Sequence, residues 1–349
     1  MTPNNIIELL QMLIATPSFS REEEKTADII ESYLWQKNFV VHRYLNNVWV
    51  KSYDFQENKP TILLNSHHDT VQPNAGYTRS PFEPIIEDGK LYGLGSNDAG
   101  GALVALLETF CRLSQTEQPY NLIYAATAEE EISGANGISA ILPLLGKIDL
   151  GIVGEPTNLQ MAVAEKGLIV LDCIAHGKAA HAARNEGINA IYQAMTDIEW
   201  FRTYQFPKIS PTLGAVKMTV TMIEAGKQHN IIPDICRFTV DIRTTDSYSN
   251  LEIVELIQKH VKCEVKPRSL RLNSSRIPMS HPVVQRGIKI GLSYFGSPTL
   301  SDQALMPFPT LKIGPGDSAR SHIADEYIQI EEIWQGVEVY CKLLDKLQL

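Results

Sequence analysis

Cysteine is scarce in this chain and shows no paired spacing. The five cysteines are an odd number, they are scattered between positions 111 and 341, and none of them forms a C-x-x-C pair. This distribution argues against both a disulfide framework and a cysteine zinc cluster. We therefore predict reduced thiols, most of them buried.

Long hydrophobic runs and a basic leader are also missing. No apolar segment approaches the roughly 18–20 residues needed to cross a bilayer, and no basic segment leads into an apolar core at the N-terminus. The net charge of −9, from 31 Lys and Arg against 40 Asp and Glu, opposes binding to nucleic acid phosphates or to an anionic membrane. We expect a cytoplasmic protein whose partners include neither nucleic acid nor a membrane.

The length of the chain and the order of its predicted elements indicate two domains. The 349 residues exceed the size of roughly 250–300 residues at which a single core stops growing. Helices alternate with apolar strands along residues 1–166, which predicts an α/β sheet covered on both faces. Between 167 and 275 the order becomes βαββαβ, which is typical of ferredoxin-like domains. We therefore predict one domain from 1–166 and 276–349, with a second domain inserted at 167–275.

Hydrophobic spacing sets the bounds of these predicted elements. In the first domain it predicts helices at 4–15, 21–37, 98–113 and 330–348, and strands at 39–45, 47–53, 61–66 and 121–127. In the inserted domain it predicts strands at 168–175, 212–223, 235–243 and 263–272, and helices at 188–204 and 250–261.

A histidine and an aspartate follow the apolar strand at 61–66. In extended backbone, side chains two residues apart share a face, so His67 and Asp69 project together. Asp69 would then hold the His67 imidazole in the tautomer that leaves its other nitrogen for a metal. A histidine at a strand end is also a common structural residue, so this pair alone leaves both interpretations open.

A glycine-rich loop at 93–101 ends where a helix is predicted to start. Such a loop can bind a phosphate, but the carboxylate of Asp98 at this place favours a cation instead. The glycines are out of register for the G-x-G-x-x-G fingerprint, which argues against a nucleotide. Asp98 by itself would serve equally well as a helix N-cap.

Further carboxylates and a second histidine follow later strands. The strand at 122–127 leads into the triplet at 129–131, the strand at 150–153 leads to Glu155, and His322 follows another apolar strand. Open α/β sheets bind their ligands at strand ends, and carboxylates that repel one another there favour raised pKa values or a bound cation. Two histidines and at least three carboxylates suit zinc or a similar divalent metal, and a bridging carboxylate would suit two.

With these motifs the sequence resembles the family of dinuclear zinc amidohydrolases that includes acetylornithine deacetylase, succinyl-diaminopimelate desuccinylase and aminoacylase. The matching segments are 66–71 (SHHDTV), 93–98 (GLGSND), 127–131 (TAEEE), 154–157 (GEPT), 177–181 (GKAAH), 230–234 (NIIPD) and 314–317 (GPGD). They occur in the family's order and lead to His322. The resemblance implies a zinc-exopeptidase-like catalytic domain with an inserted ferredoxin-like lid domain, through which two copies form a homodimer.

The resemblance also implies a role for each matching residue of the catalytic domain. The implied ligands of two divalent metal ions, zinc or else cobalt or manganese, are His67, Asp98, Glu131, Glu155 and His322. Among them, Asp98 bridges the two ions. Asp69 orients His67, and Glu130 is the general base that deprotonates the attacking water. Matching Thr127 to the family's T-x-x-E-E sets this register and leaves Glu129 as a bystander.

In the lid, the resemblance implies contacts with the substrate. His181 matches the histidine that a partner subunit offers to the developing oxyanion, and Asn230 and Arg243 match residues that hold the substrate carboxylate. Two positions depart from the family, which usually has lysine where this chain has Gly100 and serine where it has Ala182. Neither departure replaces a metal ligand or the general base.

The implied activity is removal of an acetyl or succinyl group from the α-amine of ornithine, or of a relative such as citrulline, in arginine biosynthesis. Alternatives are a dipeptidase or aminoacylase of the same fold and, from another class, a non-catalytic metal- or ligand-binding relative. A serine hydrolase is disfavoured because the chain has no G-x-S-x-G elbow. Basic residues that could pair with a second substrate carboxylate, or be ordinary surface charges, are Lys178, Lys227, Arg243, Arg276 and Arg320.

Overall fold

The computed structural model describes residues 5–349, which form two compact units. The larger unit covers the chain up to Val163, then Arg276–Phe295 and Ser301–Leu349, and the smaller unit comprises Ala164–Ser275 and Gly296–Leu300. Residues 164–166 and 296–300, which the predicted boundaries place in the larger domain, thus belong to the smaller unit. Position 4, where the first predicted helix begins, lies outside the described residues.

The helices and strands have the following bounds. The helices are α1 (Ile6–Ile14), α2 (Glu24–Gln36), α3 (Gly101–Leu113), α4 (Ile138–Leu145), α5 (Ala190–Thr203), α6 (Asn250–Gln258), α7 (Pro282–Lys289) and α8 (Ile330–Leu344). The strands are β1 (Val41–Tyr44), β2 (Asn47–Lys51), β3 (Thr61–His67), β4 (Ile86–Glu87), β5 (Lys90–Tyr92), β6 (Asn121–Thr127), β7 (Leu150–Val153), β8 (Met161–Glu165), β9 (Gly167–His176), β10 (Ala180–His181), β11 (Lys217–Ala225), β12 (Ile231–Ile232), β13 (Ile235–Thr244), β14 (Glu264–Pro267), β15 (Ser275–Arg276), β16 (Tyr294–Ser297), β17 (Thr310–Lys312) and β18 (Tyr327–Gln329).

The larger unit is built on a mixed sheet with helices on both faces. Its strand order is β1-β2-β6-β3-β7-β17-β8, and β6, β3, β7 and β17 run parallel. Ile62 and Leu64 pack with α1, α2, α3 and α8 on one face, whereas Leu63 and Ile123 pack with α4 on the other. β3 and β6 are buried along their whole length, as parallel strands covered on both faces are. The predicted α/β sheet is confirmed.

The hydrophobic spacing predicts that helix α3 begins at Asp98. In the structure the helix begins at Gly101. Ser96–Gly100 form an irregular helical turn in which Asp98 and Ala99 have non-helical backbone dihedrals. The N-cap of α3 is Gly100. Asp98 is therefore not the N-cap of this helix, and its carboxylate remains available for other contacts.

The smaller unit contains the predicted order β9-α5-β11-β13-α6-β14, together with the short strands β10 and β12, which the hydrophobic spacing does not predict. Its antiparallel sheet has the strand order β11-β13-β9-β14, and its core joins alternate residues of β9 and β13 to α5 and α6. β11 starts at Lys217, later than predicted, because Ser210 and Gly214 exchange backbone hydrogen bonds that close a turn ahead of it. β14 ends earlier than predicted, at Pro267, although the N–H of Arg268 still donates to the carbonyl of Val170 at 2.9 Å.

All five cysteines of the chain carry free thiols, as predicted. Cys173, Cys236 and Cys263 are buried, and Cys111 and Cys341 are partly buried. Among residues 5–349, no helix has both the length and the apolar character that a membrane span requires.

Candidate metal centre

Three parallel strands end at the same edge of the larger unit's sheet. β3 pairs with β6 in a register that sets His67 opposite Thr127, and it pairs with β7 through Asn65 and Val153. The residues that follow these strand ends therefore converge. This convergence brings His67 close to the glutamates after β6 and to Glu155 after β7, as the sequence predicts.

His67 lies at the centre of a group of carboxylates. Its Nε2 atom is 3.4 Å from Oδ1 of Asp98, 3.7 Å from Oε1 of Glu155 and 3.8 Å from Oε2 of Glu130. The side chain is only 1% exposed, and its Nε2 has no hydrogen-bond partner among the described residues. Buried polar atoms normally have a partner, so a nitrogen that faces three carboxylates without one is suited to bind a cation.

A second histidine completes the cluster on the other side of Asp98. His322 Nε2 lies 3.0 Å from Oε2 of Glu131 and 3.6 Å from Oδ2 of Asp98. Asp98 thus turns one carboxylate oxygen to His67 and the other to His322. A carboxylate that bridges two metal ions has this arrangement.

Asp69 orients both His67 and the acidic loop. His67 Nδ1 lies 3.0 Å from the backbone oxygen of Asp69, closer than the 3.4 Å to its carboxylate, so the orienting bond goes to the carbonyl and not to the side chain. With Nδ1 donating to that carbonyl, Nε2 is the ring nitrogen whose lone pair can bind a metal once the ring is neutral. The Asp69 carboxylate instead accepts the N–H groups of Glu130 at 3.0 Å and Glu131 at 3.2 Å, and the hydroxyl of Ser20 at 2.7 Å.

The glutamate triplet divides between two environments. Glu130 and Glu131 lie in the cluster, whereas Glu129 turns away and accepts the side-chain amide of Asn136 at 2.9 Å and its backbone N–H at 3.2 Å. Glu129 has a positive φ of 56°, which redirects the chain at this point. Glu129 is thus outside the donor set, but it supports the loop that carries the other two glutamates.

Burial dominates the electrostatics of the cluster. It raises the pKa of Glu130 well above its usual value, where Glu155, Asp302 and Glu131 add to the effect, and it raises the pKa of Glu155 to about 8. Burial lowers the pKa of His67, but the carboxylates around it outweigh burial and leave this pKa well above its usual value. Buried carboxylates that resist ionisation together become stable anions once a cation joins them.

Two buried carboxylates that no sequence motif identifies lie beside the cluster. Asp302 accepts hydrogen bonds from Nδ2 of Asn65 and Oγ1 of Thr127, both at 2.9 Å, and burial raises its pKa to about 6. Glu326 accepts backbone N–H groups of the loop that carries Asp98, and burial raises its pKa to about 8. Neither residue directly follows an apolar strand, so the pattern of strand ends could not identify them.

Gly100, one of the two departures from the family pattern, has a structural reason. A Cβ atom at this position would lie 2.4 Å from the backbone oxygen of Gly95 and 2.5 Å from Cδ1 of Leu10. A lysine therefore cannot occupy position 100 unless the loop from Gly95 to Asp98 shifts. The conformation of this loop therefore requires glycine at position 100.

The predicted lid residues lie in the smaller unit. His181 pairs with Ile231 in the small ribbon of β10 and β12, and the carbonyl of Asn230 accepts the N–H of Ala182 at 3.0 Å. This ribbon brings His181 and Asn230 together. Nδ1 of His181 accepts the N–H of Ala183 at 3.1 Å. The proton of the neutral ring is therefore on Nε2.

Two of the predicted basic residues already have acidic partners. Arg243, on β13, makes a two-point contact with Asp241, with distances of 2.9 and 3.1 Å. Arg320 is 12% exposed and contacts Glu332 at 2.8 Å. Arg320 is thus engaged in the fold, whereas Arg243 is partly exposed.

Comparisons with known proteins extend over nearly the whole chain. A family model described as Peptidase family M20/M25/M40 matches residues 63–346. The acetylornithine deacetylase of Shigella sonnei is 30% identical, over 93% of this chain and 92% of its own length. The succinyl-diaminopimelate desuccinylase of Corynebacterium glutamicum is 27% identical, over 94% of this chain and 92% of its own length.

The fold is also found among solved structures. A dinuclear metal-binding peptidase of the M20 family from Bacillus subtilis superposes with a TM-score of 0.75 at 16% identity. The superposition covers 97% of this chain and 96% of that chain. The similarity therefore includes both units.

Proposed function

This chain belongs to peptidase family M20/M25/M40, and from that membership we propose that it is an N-acyl-amino-acid deacylase. The substrate class is an ornithine, or a close relative such as citrulline, that carries an acetyl or succinyl group on its α-amine. Relatives named acetylornithine deacetylase and succinyl-diaminopimelate desuccinylase support both acyl groups. Under this proposal the protein acts in the cytoplasm, in arginine biosynthesis.

The observation that carries the proposal is the two-sided position of Asp98. One of its oxygens lies 3.4 Å from His67 and the other lies 3.6 Å from His322. His67 and Glu155 would then hold one divalent ion, Glu131 and His322 would hold the other, and Asp98 would bridge them. The mixed nitrogen and oxygen donors suit zinc, with cobalt or manganese as alternatives. When bound, the ions would polarise the substrate carbonyl and make a water more acidic.

This assignment does not use Glu130 as a metal ligand. It also groups with His67 and Glu155 within ligand distance, so geometry alone would allow it to bind a metal. Each ion, however, would already have one histidine, one carboxylate of its own and the shared Asp98. Glu130 is therefore free to take a proton from the attacking water and pass it to the leaving amine.

The lid residues would act on the acyl carbonyl and on the carboxylate of the substrate. His181 carries its ring proton on Nε2, which is the donor that a developing oxyanion requires. Asn230 lies beside His181 in the same ribbon. Arg243 would exchange its contact with Asp241 for the substrate carboxylate, which a guanidinium binds in the same two-point manner.

Substrate profiling tests the substrate class. With acetyl- and succinyl-ornithine and acetyl- and succinyl-citrulline as substrates, one of the four is expected to exceed any dipeptide in kcat/KM by about tenfold or more. Initial rates measured at equal enzyme and metal concentrations give the comparison. A dipeptide that is preferred over all four would instead favour the dipeptidase alternative. Metal binding without turnover of any substrate would favour the non-catalytic alternative.

The sheet of the smaller unit has a free edge suited to a second copy. β11 is an edge strand, and its residues Met222 and Ile223 are 64% and 59% exposed. An exposed apolar edge strand is a surface on which another chain can pair. We therefore propose a twofold homodimer in which His181 of one copy serves the metal site of the other.

Subunit exchange tests this shared site. His181→Ala and Glu130→Gln proteins are each expected to be nearly inactive, and their equimolar mixture is expected to recover about one quarter of wild-type activity after exchange. Random exchange makes half of the dimers mixed, and each mixed dimer has one complete site. The double variant mixed with His181→Ala protein is the control, because no complete site can form. Exchange that is confirmed by mass but restores no activity would contradict the shared site.

A further inference from the structure

Glu326 makes an unusual set of contacts for a residue outside the metal cluster. Its side chain is 1% exposed, and its carboxylate accepts three backbone N–H groups. Oε1 accepts those of Asn97 at 2.8 Å and Asp98 at 2.9 Å, and Oε2 accepts that of Gly95 at 3.1 Å. A single carboxylate therefore holds the entire turn that carries the bridging aspartate.

A second set of hydrogen bonds joins the same turn to the segment around His322. The Asn97 side chain accepts the N–H of Asp317 through Oδ1 and donates to its carbonyl through Nδ2, both at 3.0 Å. Asp317 precedes His322 and Glu326 follows it. The segment that carries His322 is thus attached to the turn that carries Asp98 on both sides of the histidine.

These ties determine how far Asp98 lies from His322. Asp98 can serve two metal positions only while one oxygen faces His67, which is 3.4 Å away, and the other faces His322, which is 3.6 Å away. Functional side chains must be held within roughly 0.5 Å of their productive geometry by the groups behind them. Without the Glu326 carboxylate, three buried N–H groups would lose their acceptor, and the turn would rearrange to satisfy them.

We propose that Glu326 is a positioning residue that sets the separation of the two metal positions by holding the backbone of Asp98. Its carboxylate acts through the backbone N–H groups of Gly95, Asn97 and Asp98. This inference rests on the proposed function, because it takes Asp98 as the bridging ligand. Residues behind metal ligands typically change metal affinity by about 10–100-fold when they are replaced.

Glu326→Gln is the main test, with metal affinity as its readout. The amide can still accept N–H groups at one atom, but it presents its own N–H groups to Gly95. We expect the apparent affinity for zinc, measured by competition with a chelator on folded protein, to fall by about 10–100-fold. Excess zinc is expected to restore much of the lost activity. Glu326→Asp, which keeps the charge on a shorter side chain, is expected to lie between the wild type and the glutamine variant.

Asp197→Asn provides a matched control for loss of a buried carboxylate. Asp197 lies in the smaller unit, is 3% exposed and accepts the backbone N–H groups of Lys262 at 3.0 Å and Cys263 at 2.8 Å. This variant is expected to lower the melting temperature but to leave zinc affinity unchanged. If Glu326→Gln fails to fold, the comparison is made between Glu326→Asp and Asp197→Asn.

Two results would overturn the inference. One is a folded Glu326 variant that binds two zinc ions as tightly as the wild type, and the other is an equal loss of affinity in the Asp197 control. Both leave the proposed function intact, because the wild type still binds metal and hydrolyses its substrate. Failure of the proposed function shows differently, as a wild-type protein that binds two ions but hydrolyses none of the acyl amino acids.

Discussion

Glu130→Gln is expected to lower kcat by about 10²–10⁴-fold while both metal ions stay bound. Glutamine has nearly the same shape, so the contacts of the acidic loop with Asp69 survive the change. It cannot accept a proton from water, so the step assigned to Glu130 is lost. Steady-state rates and elemental metal analysis of the same samples provide the measurement.

Glu129→Gln is the control for this prediction. Glu129 is buried and Glu130 is mostly buried, but the Glu129 carboxylate contacts Asn136 and lies outside the cluster. Its loss is expected to affect stability more than kcat. If metal content falls together with activity in Glu130→Gln, then Glu130 is a ligand and not the base. If Glu129→Gln is the more damaging change, the register of the triplet is wrong.

Dialysis against a chelator is expected to abolish hydrolysis completely, and zinc or cobalt is expected to restore it. The reason is the cluster itself, in which Glu130, Glu131 and Glu155 all have raised pKa values because burial and neighbouring carboxylates oppose their ionisation. A divalent cation stabilises the ionised forms, and the ligands release protons when it binds. Metal affinity is therefore expected to fall as the pH decreases.

The chelation experiment has its own internal check. Far-ultraviolet circular dichroism before and after dialysis shows whether the metal-free protein remains folded, since each unit has a large hydrophobic core of its own. A folded, inactive and restorable protein supports a catalytic metal. Full turnover by protein that is shown to be free of metal would end this proposal.

The agreement between sequence and structure is best where short-range patterns carry the information. The strands that became β3 and β6 are predicted almost to the residue, because buried parallel strands are nearly continuous apolar runs. The donors after these strands follow from the same pattern, since neighbouring parallel strands end at one edge. The convergence of His67 with Glu155 could therefore be predicted without the structure.

Prediction is weaker where a chain segment depends on distant residues. The spacing of apolar residues extends α3 back to Asp98, but the structure replaces its first turn with an irregular one. The N–H groups of this turn bind Glu326, which is 228 residues away from Asp98 in the chain. No pattern within a local window contains that contact.

The sequence alone determined the family, the donor types and their order along the chain, because these properties lie in contiguous motifs. Tertiary structure decided which atoms of those donors face one another. In the acidic triplet three identical residues are adjacent, and in the sequence only their spacing from Thr127 distinguishes them. Asp69 distinguishes them by accepting the N–H groups of Glu130 and Glu131, while the positive φ of Glu129 turns its side chain away. The two-sided placement of Asp98 likewise lies beyond any local pattern, because the hydrogen bonds that hold its turn come from Glu326 and Asp317, which are distant in the chain.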